Sequence, residues 1–281
     1  MQDLVAVCIA DASVTLASLS ALKTFDPPLA ALEGQRVLGI ARLGKFLDLS
    51  TEGGLHLVWH LSRAGWVQWR EEVSQTPLKL GKGPLALRIA FVDDAGEPAG
   101  GFDVTEAGTQ KRLAIHVVQD PMTIPGVARL GPDALSDELT SEVFDGILDA
   151  AGRAQIKGVL RNQSVIAGIG NAYSDEILHA ARLSPFHPCN SLTPGQRAAL
   201  YAAMRTELAT AIENSVGHGT GTLKSEKKAK LAVHGKAGAA CPVCGDIVRE
   251  VSFADSALQY CPTCQTGGRL LADRRTSKFL K

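Results

Sequence analysis

Short apolar runs separated by polar turns fill the first part of the chain. The turns are rich in Gly, Asp and Glu, as at residues 52–54 and 93–96. The apolar runs cover residues 5–9, 36–41, 46–49, 55–59, 66–69, 85–92 and 113–118. Each run has the length and the bounding turns of a strand, and several short strands at this spacing are typical of a β-sandwich or barrel.

The period changes near residue 130, where apolar positions begin to recur every three or four residues. Ser136 predicts the N-cap of a first helix, because acidic residues that favour a helix N-terminus follow it. Further helices are predicted over about residues 153–160 and 172–181, and after Thr193, where proline suits the first helical position. The apolar stripes of the first and last helices are Val143, Ile147, Leu148 and Ala151, and Leu200, Met204, Leu208 and Ile212.

Residues 215–240 are rich in Gly, Lys and Ser without an apolar period, which predicts a linker or a mobile loop. A four-cysteine segment and a basic tail over residues 269–281 follow. We therefore predict an α+β multidomain chain with three domains. They are an N-terminal β-sandwich over residues 1–130, a helical domain over 131–232, and a C-terminal β-hairpin ribbon with its tail over 233–281.

Composition places this chain among globular proteins. Its 281 residues are 45% hydrophobic, enough for a core in each large domain. No run of 18 or more apolar residues occurs, so no membrane partner is expected. The start lacks the basic and apolar regions of a secretory signal, which predicts a cytoplasmic location, nucleoid-associated if the source is bacterial.

The charge is distributed unevenly along the chain. Residues 157–281 carry 16 Lys and Arg against 9 Asp and Glu, a net charge of +7, and residues 1–156 carry a net charge of −7. The second part thus suits a polyanion.

The strongest chemical signal is a pair of Cys-x-x-Cys motifs near the C-terminus. Sixteen residues separate them, and the cysteines are Cys241, Cys244, Cys261 and Cys264. Each motif places two thiolates on one tight turn, and four thiolates form a closed tetrahedral zinc site. One structural Zn²⁺ is therefore predicted, in a ribbon whose hairpin over residues 248–260 is available to a partner. A redox role is disfavoured because no βαβ pattern surrounds either motif.

Residues 153–189 carry a second motif, with Lys157 on one helix and the turn Gly168-Ile169-Gly170-Asn171 before the next. This segment closely resembles the helix–two-turn–helix of the formamidopyrimidine-DNA glycosylase and endonuclease VIII family. The glycines allow a tight turn, and Asn171 begins a helix whose N–H groups and dipole attract a phosphate. Lys157 is expected to reach the same anion. The alternative is a plain helical hairpin with a glycine turn.

Other segments resemble the family in the same order, so the resemblance covers nearly the whole chain. They are Gly44-Lys45-Phe46, the turn at residues 60–65, the loop at 110–113, Leu130-Gly131-Pro132 and the segment 233–236. The resemblance implies a DNA-repair protein with damaged double-stranded DNA as its partner. The positions that match DNA-contacting residues of the family are Lys45, Arg63, Arg112, Lys157 and Asn171.

The resemblance also implies an activity, that of a base-excision DNA glycosylase with AP-lyase activity. Members of the family kink the duplex and flip the lesion base into a pocket. An N-terminal proline amine then attacks the sugar to form a Schiff base, and elimination cuts the strand. A glutamate after that proline handles protons. The protein is expected to act as a monomer.

The start of this chain departs from the family, because Met1-Gln2-Asp3 stands where the family has Met-Pro-Glu. Met1, Asp3 and Lys45 are the remaining catalytic candidates. Lys45 needs a lowered pKa to act as a nucleophile, and its alternative role is a phosphate contact. Two hypotheses follow. Either the sequence starts downstream of the native start, or the protein is a damaged-DNA-binding paralogue whose catalysis is impaired or rerouted.

Three further positions differ from the family. Arg63 stands in place of an apolar void-filler, and Ser256 in place of an arginine of the zinc-finger hairpin. Leu113 replaces an aromatic wedge, and a core position explains it equally well. The function classes that stay open are thus an enzyme, a DNA-binding module without catalysis, and a zinc-ribbon protein that binds a protein partner.

Overall fold

The computed structural model describes residues 7–9, 14–16, 18–74, 83–215, 231–253 and 256–273. The chain divides into two compact units, residues 1–129 and residues 130–281. Within the described ranges, no helix is both long enough and apolar enough to cross a membrane. The three-domain boundaries at residues 130/131 and 232/233 stay a prediction.

Two antiparallel sheets form the first unit. One sheet has the order β1 (Cys8–Ile9), β7 (Leu85–Val92), β8 (Pro98–Glu106), β6 (Gly65–Arg70), with β2 (Thr15–Leu16) also paired to β7. The other has the order β3 (Val37–Leu43), β4 (Phe46–Thr51), β5 (His56–His60), β9 (Ala114–Val118). The predicted β-sandwich is confirmed.

An apolar core joins residues of both sheets. Leu87 of β7 and Leu57 of β5 are fully buried in it. Trp59 of β5 stacks on Phe102 of β8, with ring centroids 5.4 Å apart. Side chains alternate between the two faces of a strand, so each sheet offers one apolar face to this core. Burial of one large apolar side chain contributes about 1.5–3 kcal/mol, and many such residues stabilise the sandwich.

Strand β8 is not predicted by the apolar pattern, because proline, glycine and aspartate interrupt it. It nevertheless lies between β7 and β6. Gly101 allows the close pairing, since a Cβ there would stand 2.2 Å from the carbonyl oxygen of Ile89. Asp103 is buried but paired: it accepts hydrogen bonds from Nε of Arg88 at 2.7 Å and Nε of Arg70 at 3.2 Å. Burial acts to raise the pKa of Asp103, but the two guanidinium groups outweigh it and lower the pKa.

Helices occupy the first part of the second unit. A short helix, α1 (Pro125–Ala128), ends the first unit. The second unit then contains α2 (Ser141–Ala151), α3 (Ile156–Arg161), α4 (Asn171–Ala180) and α5 (Pro194–Glu213). Phe144, Leu160, Ile177 and Met204, one from each of these four helices, meet in its apolar core. The helices predicted at residues 153–160, at 172–181 and after Thr193 correspond to α3, α4 and α5.

Helix α2 begins later than the sequence predicts. Its N-cap is Thr140, whose Oγ1 accepts a hydrogen bond from the Val143 amide at 3.3 Å. Ser136, the predicted cap, instead accepts one from the Glu138 amide at 3.1 Å in a preceding turn. The predicted stripe is also wrong in part, because Val143 is 43% exposed. A local capping signal thus marked a turn that precedes the helix.

The last part of the second unit is the ribbon. Strands β10 (Arg249–Ser252) and β11 (Ala257–Tyr260) form an antiparallel hairpin, and α6 (Pro262–Thr266) follows. The hairpin packs its buried side chains against Phe186, which follows α4 in the chain. The predicted hairpin is therefore confirmed. Residues 216–230 of the predicted linker and residues 274–281 of the tail lie outside the described residues.

Candidate nucleic-acid interface and metal centre

The four ribbon cysteines converge on one point. Their sulfur atoms all lie within 4.8 Å of one another. Sγ of Cys241 is 3.9 Å from Sγ of Cys264, and Sγ of Cys244 is 3.3 Å from Sγ of Cys261. A tetrahedral site with zinc–sulfur bonds of about 2.3 Å has sulfur–sulfur edges of about 3.8 Å. The cluster thus fits one structural Zn²⁺, the predicted cofactor.

The carboxylate of Asp246 holds the two cysteine turns together. Asp246 follows the first Cys-x-x-Cys turn and accepts hydrogen bonds from the amide of Thr263 at 3.2 Å and its hydroxyl at 2.8 Å. Thr263 lies inside the second turn. These two bonds fix the spacing of the turns, so the ligands are brought together by the fold as well as by the metal.

The turn before α4 is built around Gly168, whose φ of 100° is accessible to glycine. Asn171 begins α4, as predicted. Its Nδ2 donates a hydrogen bond to the carbonyl oxygen of Ala257 in β11 at 2.8 Å. Its Oδ1 is buried and has no hydrogen-bond partner in the described part of the chain. The turn is therefore anchored to the ribbon hairpin.

Lys157 lies in a different environment from the one its sequence position suggests, because only 5% of it is exposed. Its Nζ donates to Oδ1 of Asp175 at 2.5 Å and to Oγ of Ser174 at 2.7 Å. A third hydrogen bond goes to the carbonyl oxygen of Asn171 at 3.3 Å. Burial lowers the pKa of Lys157, and the adjacent Asp175 opposes that shift. The ammonium group thus binds the first turn of α4, and its contact with DNA stays a prediction.

Two buried carboxylates of α4 connect the helix to the chain that enters the ribbon. Asp175 accepts a hydrogen bond from the Gln259 amide of β11 at 3.2 Å, and its Oδ2 is 2.7 Å from Nδ1 of His234. Glu176 accepts hydrogen bonds from the amides of Ala232, Val233 and His234 at 2.6, 3.1 and 2.8 Å. Helix α4, the incoming segment and β11 are therefore one hydrogen-bonded assembly.

In the first unit, strand register brings three predicted DNA contacts to one end of a sheet. Phe46 pairs with His60, and His60 pairs with Ala114. The turn that carries Lys45, the turn that carries Arg63 and the loop that carries Arg112 consequently lie at the same end. Both arginines are exposed and line one cleft.

Lys45 occupies the second position of a two-residue turn between β3 and β4, after Gly44 with φ 57°. It is half-buried, and its charge acts on His60. Burial, and next the charge of Lys45, lower the pKa of His60. The ring is 4.8 Å from that of Phe46, and its Nδ1 accepts a hydrogen bond from the Ser62 amide at 3.1 Å. His60 is thus a half-buried histidine whose Nδ1 is occupied as a hydrogen-bond acceptor.

Glu106 shapes the loop that carries Arg112. It is buried, and its Oε1 accepts hydrogen bonds from the amides of Arg112 at 2.7 Å and Leu113 at 3.0 Å. Leu113 is only 1% exposed and belongs to the sandwich core. The core explanation of Leu113 is therefore correct and the wedge is not. Met1 and Asp3, the other catalytic candidates, lie outside the described residues.

Three family models match the chain in order. They are the formamidopyrimidine-DNA glycosylase N-terminal domain over residues 3–97, the formamidopyrimidine-DNA glycosylase H2TH domain over 130–224, and the zinc finger found in FPG and IleRS over 238–267. A formamidopyrimidine-DNA glycosylase of Thermus thermophilus is 34% identical over 248 residues, which are 85% of this chain and 86% of that protein. This chain belongs to the formamidopyrimidine-DNA glycosylase family. The predicted family membership is confirmed.

One further relative and two solved structures are also similar to this chain. An uncharacterized formamidopyrimidine-DNA glycosylase-like protein of Mycobacterium tuberculosis is 54% identical over 157 residues, 56% of this chain and 98% of that protein. The crystal structure of the MutM (Fpg) protein of Thermus thermophilus matches with a TM-score of 0.71 at 30% identity, over 92% of both chains. The Lactococcus lactis Fpg in complex with DNA containing an abasic site shares the fold, with a TM-score of 0.76 at 23% identity over 94% of both chains.

Several residues that organise this family member's sites are not evident from its sequence. Glu106 acts through the backbone amides of Arg112 and Leu113, so no spacing rule identifies it. His179 on α4 lies next to Cys241, although its sequence position lacks ligand spacing. Ser256 is half-buried near the hairpin tip, where its carbonyl oxygen accepts a hydrogen bond from the Phe253 amide at 2.7 Å.

Proposed function

We propose that this protein, as a cytoplasmic monomer, binds damaged double-stranded DNA and acts as a base-excision DNA glycosylase with AP-lyase activity. The observation that carries the proposal is the 34% identity to a formamidopyrimidine-DNA glycosylase along 85% of the chain. Family members are glycosylases and AP lyases. The match runs through both compact units, so it includes the sheet end with Lys45 and the turn with Asn171.

In the second unit, the proposed contact with DNA is the start of α4. The first amides of a helix lack intrahelical partners and attract a phosphate. The net charge of +7 over residues 157–281 adds a long-range attraction to the polyanion. Because Nζ of Lys157 binds Asp175, we expect Lys157 to stabilise the turn through contacts within the protein and not to contact the phosphate itself. Asn171 is then the residue closest to the phosphate, and its contact is independent of base sequence.

In the first unit, the proposed contacts with DNA are Lys45, Arg63 and Arg112. The arginines line a cleft whose loop is fixed by Glu106. A guanidinium group can stack on a base, or it can donate two parallel N–H hydrogen bonds to one phosphate. Either arginine therefore suits a kinked duplex with an unstacked base. Lys45 suits a phosphate next to it.

The proposed chemistry requires an amine. The amine nitrogen bonds to C1′ of the damaged nucleotide as the base leaves with the bonding electrons. The nitrogen then loses a proton, and the sugar ring opens to give an iminium. Loss of a proton from C2′ then expels the 3′ phosphate. The candidates are the α-amine of Met1, whose class has an ordinary pKa of about 7.7–8.0, and Lys45, whose class lies near 10.4. Asp3 is the candidate that accepts the protons.

Borohydride trapping on duplex DNA with one abasic site tests this proposal. Borohydride reduces the iminium to a stable amine, so wild-type protein is expected to form a covalent adduct on denaturing gels. Peptide mapping of the adduct identifies the amine. We expect it at the N-terminus, with Lys45→Ala reducing adduct formation only through weaker binding.

Lys23→Ala is the matched control, because Lys23 is an exposed lysine of the same unit. An adduct mapped to Lys45, and lost in Lys45→Ala alone, replaces Met1 as the nucleophile. An adduct absent with wild-type protein, while abasic duplex is still bound in preference to intact duplex, refutes the lyase activity. Equal affinity for damaged and intact duplex refutes the proposal as a whole.

The second candidate function is damaged-DNA binding without catalysis. Ser256 favours it, because this hairpin position carries an arginine in the family pattern and a hydroxyl cannot replace its charge. Under this proposal, Asn171→Ala weakens binding by a similar factor on different DNA sequences. Measured affinities should also fall steeply with salt, as expected for phosphate contacts. Cleavage of the damaged strand by the purified wild-type protein excludes this candidate.

A further inference from the structure

A buried histidine lies against the zinc ligands. His179 belongs to the last turn of α4 and is 5% exposed, and Cys241 is 3% exposed. Nε2 of His179 is 3.3 Å from Sγ of Cys241, across 62 positions of sequence. This distance is within the hydrogen-bond range for a sulfur acceptor. The contact therefore joins the helical part of the second unit directly to the metal centre.

The direction of this hydrogen bond follows from the chemistry of the ligand. A cysteine that binds zinc is a thiolate and has no proton to donate. His179 must then carry its proton on Nε2 and donate it to the sulfur. Four thiolates around one Zn²⁺ leave two net negative charges, and Cys241 is one of the two ligands with the least exposure. A donor from the protein is the natural compensation for negative charge that water cannot reach.

His179 is not a fifth ligand. Four thiolates complete the tetrahedral coordination of a structural zinc site. Partners outside the coordination sphere orient the ligands and tune their basicity, and their loss commonly changes metal affinity by about 10- to 100-fold. We propose that His179 is such a positioning residue: it donates a hydrogen bond to the Cys241 thiolate, retains the zinc ion and fixes the end of α4 to the ribbon.

The His179–Cys241 contact belongs to the metal centre and is independent of the proposed DNA chemistry. It also has a consequence for the interface, because the same helix begins at Asn171 and carries Asp175 and Glu176. The hydrogen bond from His179 secures the last turn of α4, while those two carboxylates secure its middle. Together they hold the helix to the ribbon along its length.

Zinc release from the full-length, zinc-loaded protein tests the proposal. His179→Phe keeps an aromatic ring without a donor, whereas His179→Gln keeps an amide N–H near the position of Nε2. With a chromogenic chelator in excess, the Phe variant is expected to release zinc about 10- to 100-fold faster than wild type. The Gln variant should stay within several-fold of wild type. His187→Phe is the control, since Nδ1 of His187 contacts Pro188 and Ser191 and not the cluster.

Cobalt substitution provides a readout that packing alone does not change. A hydrogen bond lowers the energy of the sulfur lone pairs, so its loss should move the sulfur-to-Co²⁺ charge-transfer band of the Phe variant to longer wavelength. The Gln and His187→Phe proteins should keep the wild-type band. Equal zinc-release rates and equal bands for wild type and His179→Phe overturn the proposal. If the Phe variant does not fold, His179→Asn replaces it, because its amide is too short to reach the sulfur. Equal rates of zinc release from the Asn and Gln variants then overturn the proposal as well.

Discussion

At the scale of single residues, Lys157 shows how burial changes the role of a charged side chain. Its position in the helix–two-turn–helix pattern suggests a direct phosphate ligand. Its Nζ instead binds Asp175, Ser174 and the Asn171 carbonyl, with little exposure to solvent. A buried ammonium group without such partners is costly, so the pairing is a condition of its burial. Lys157 therefore supports the turn that carries Asn171.

His60 and Lys45 give a residue-scale prediction on pH. The pKa of His60 lies below its ordinary value of 6.5, because burial and then the charge of Lys45 disfavour the imidazolium. Lys45→Ala should raise this pKa towards 6.5, since one of the two causes is removed while burial stays. An NMR titration of the His60 ring between about pH 4 and 8, a range that brackets the ordinary pKa of histidine, measures the effect.

The sign for stability follows from the same shift. A histidine whose folded pKa is lowered contributes full stability above about pH 6.5, and that stability declines as the pH falls towards the folded pKa. Lys23→Ala is the matched control, because Lys23 contributes to the lowered pKa of His116, after burial. It should move the pKa of His116 and leave that of His60 in place. A His60 pKa that does not respond to Lys45→Ala contradicts the assignment.

At the scale of secondary-structure elements, local signals located several helices but did not reveal strand β8. Helix α5 begins where Thr193 and Pro194 predict, because a capping box is a local interaction. Oγ1 of Thr193 accepts the Gln196 amide, and the Gln196 side chain accepts the Thr193 amide. β8 has no comparable signal, since its place between two other strands depends on residues far away in sequence.

The capping box gives the prediction at this scale. Thr193→Ala removes the acceptor for the Gln196 amide and should lower the free energy of unfolding by about 1 kcal/mol. Thr210→Ala is the control, because Thr210 is an exposed residue inside the same helix, where alanine is the better helix former. Urea denaturation followed by ellipticity at about 222 nm, the helix signal, compares the two. Equal losses in both variants would show that the cap contributes nothing of its own.

At the scale of the whole molecule, each of the two units has its own means of stabilisation. The first unit has a continuous apolar core in its sandwich, whereas the ribbon has a few buried side chains around the cysteines. So small a core needs a metal to fold. The hydrogen bonds of Asp175, Glu176 and His179 extend the dependence on zinc from the ribbon to α4.

Removal of zinc tests this organisation. After chelation, amide hydrogens of the described residues of β10, β11 and α6 should exchange rapidly, and those of α4 should exchange faster than before. Strands β5, β7 and β8 should keep their protection, because their core contains no metal ligand. Hydrogen exchange read by mass spectrometry measures all of them in one experiment, and added Zn²⁺ should restore the original pattern. Protection retained in the ribbon, or lost equally in both units, contradicts the prediction.

The sequence by itself determined those features that depend on short spacing. The two Cys-x-x-Cys turns, the start of α4 at Asn171, the cap of α5 and most strands of the sandwich are set by residues within a few positions of one another. These features were enough to indicate the family and the structural zinc. They also located the candidate DNA contacts Lys45, Arg63 and Arg112 on turns, where strand register later brought them to one end of a sheet.

Only the tertiary structure decided which long-range partner each remaining residue has. Leu113 is core because the sandwich closes over it, and Lys157 is buried because Asp175, on another helix, compensates its charge. Glu106 fixes a loop through two amides that any residue could supply. His179 becomes part of the metal centre because α4 ends beside Cys241, a relation over 62 residues that no local pattern encodes. Hydrogen bonds and burial act between neighbours in space, and the chain's periodicity reports only neighbours in sequence.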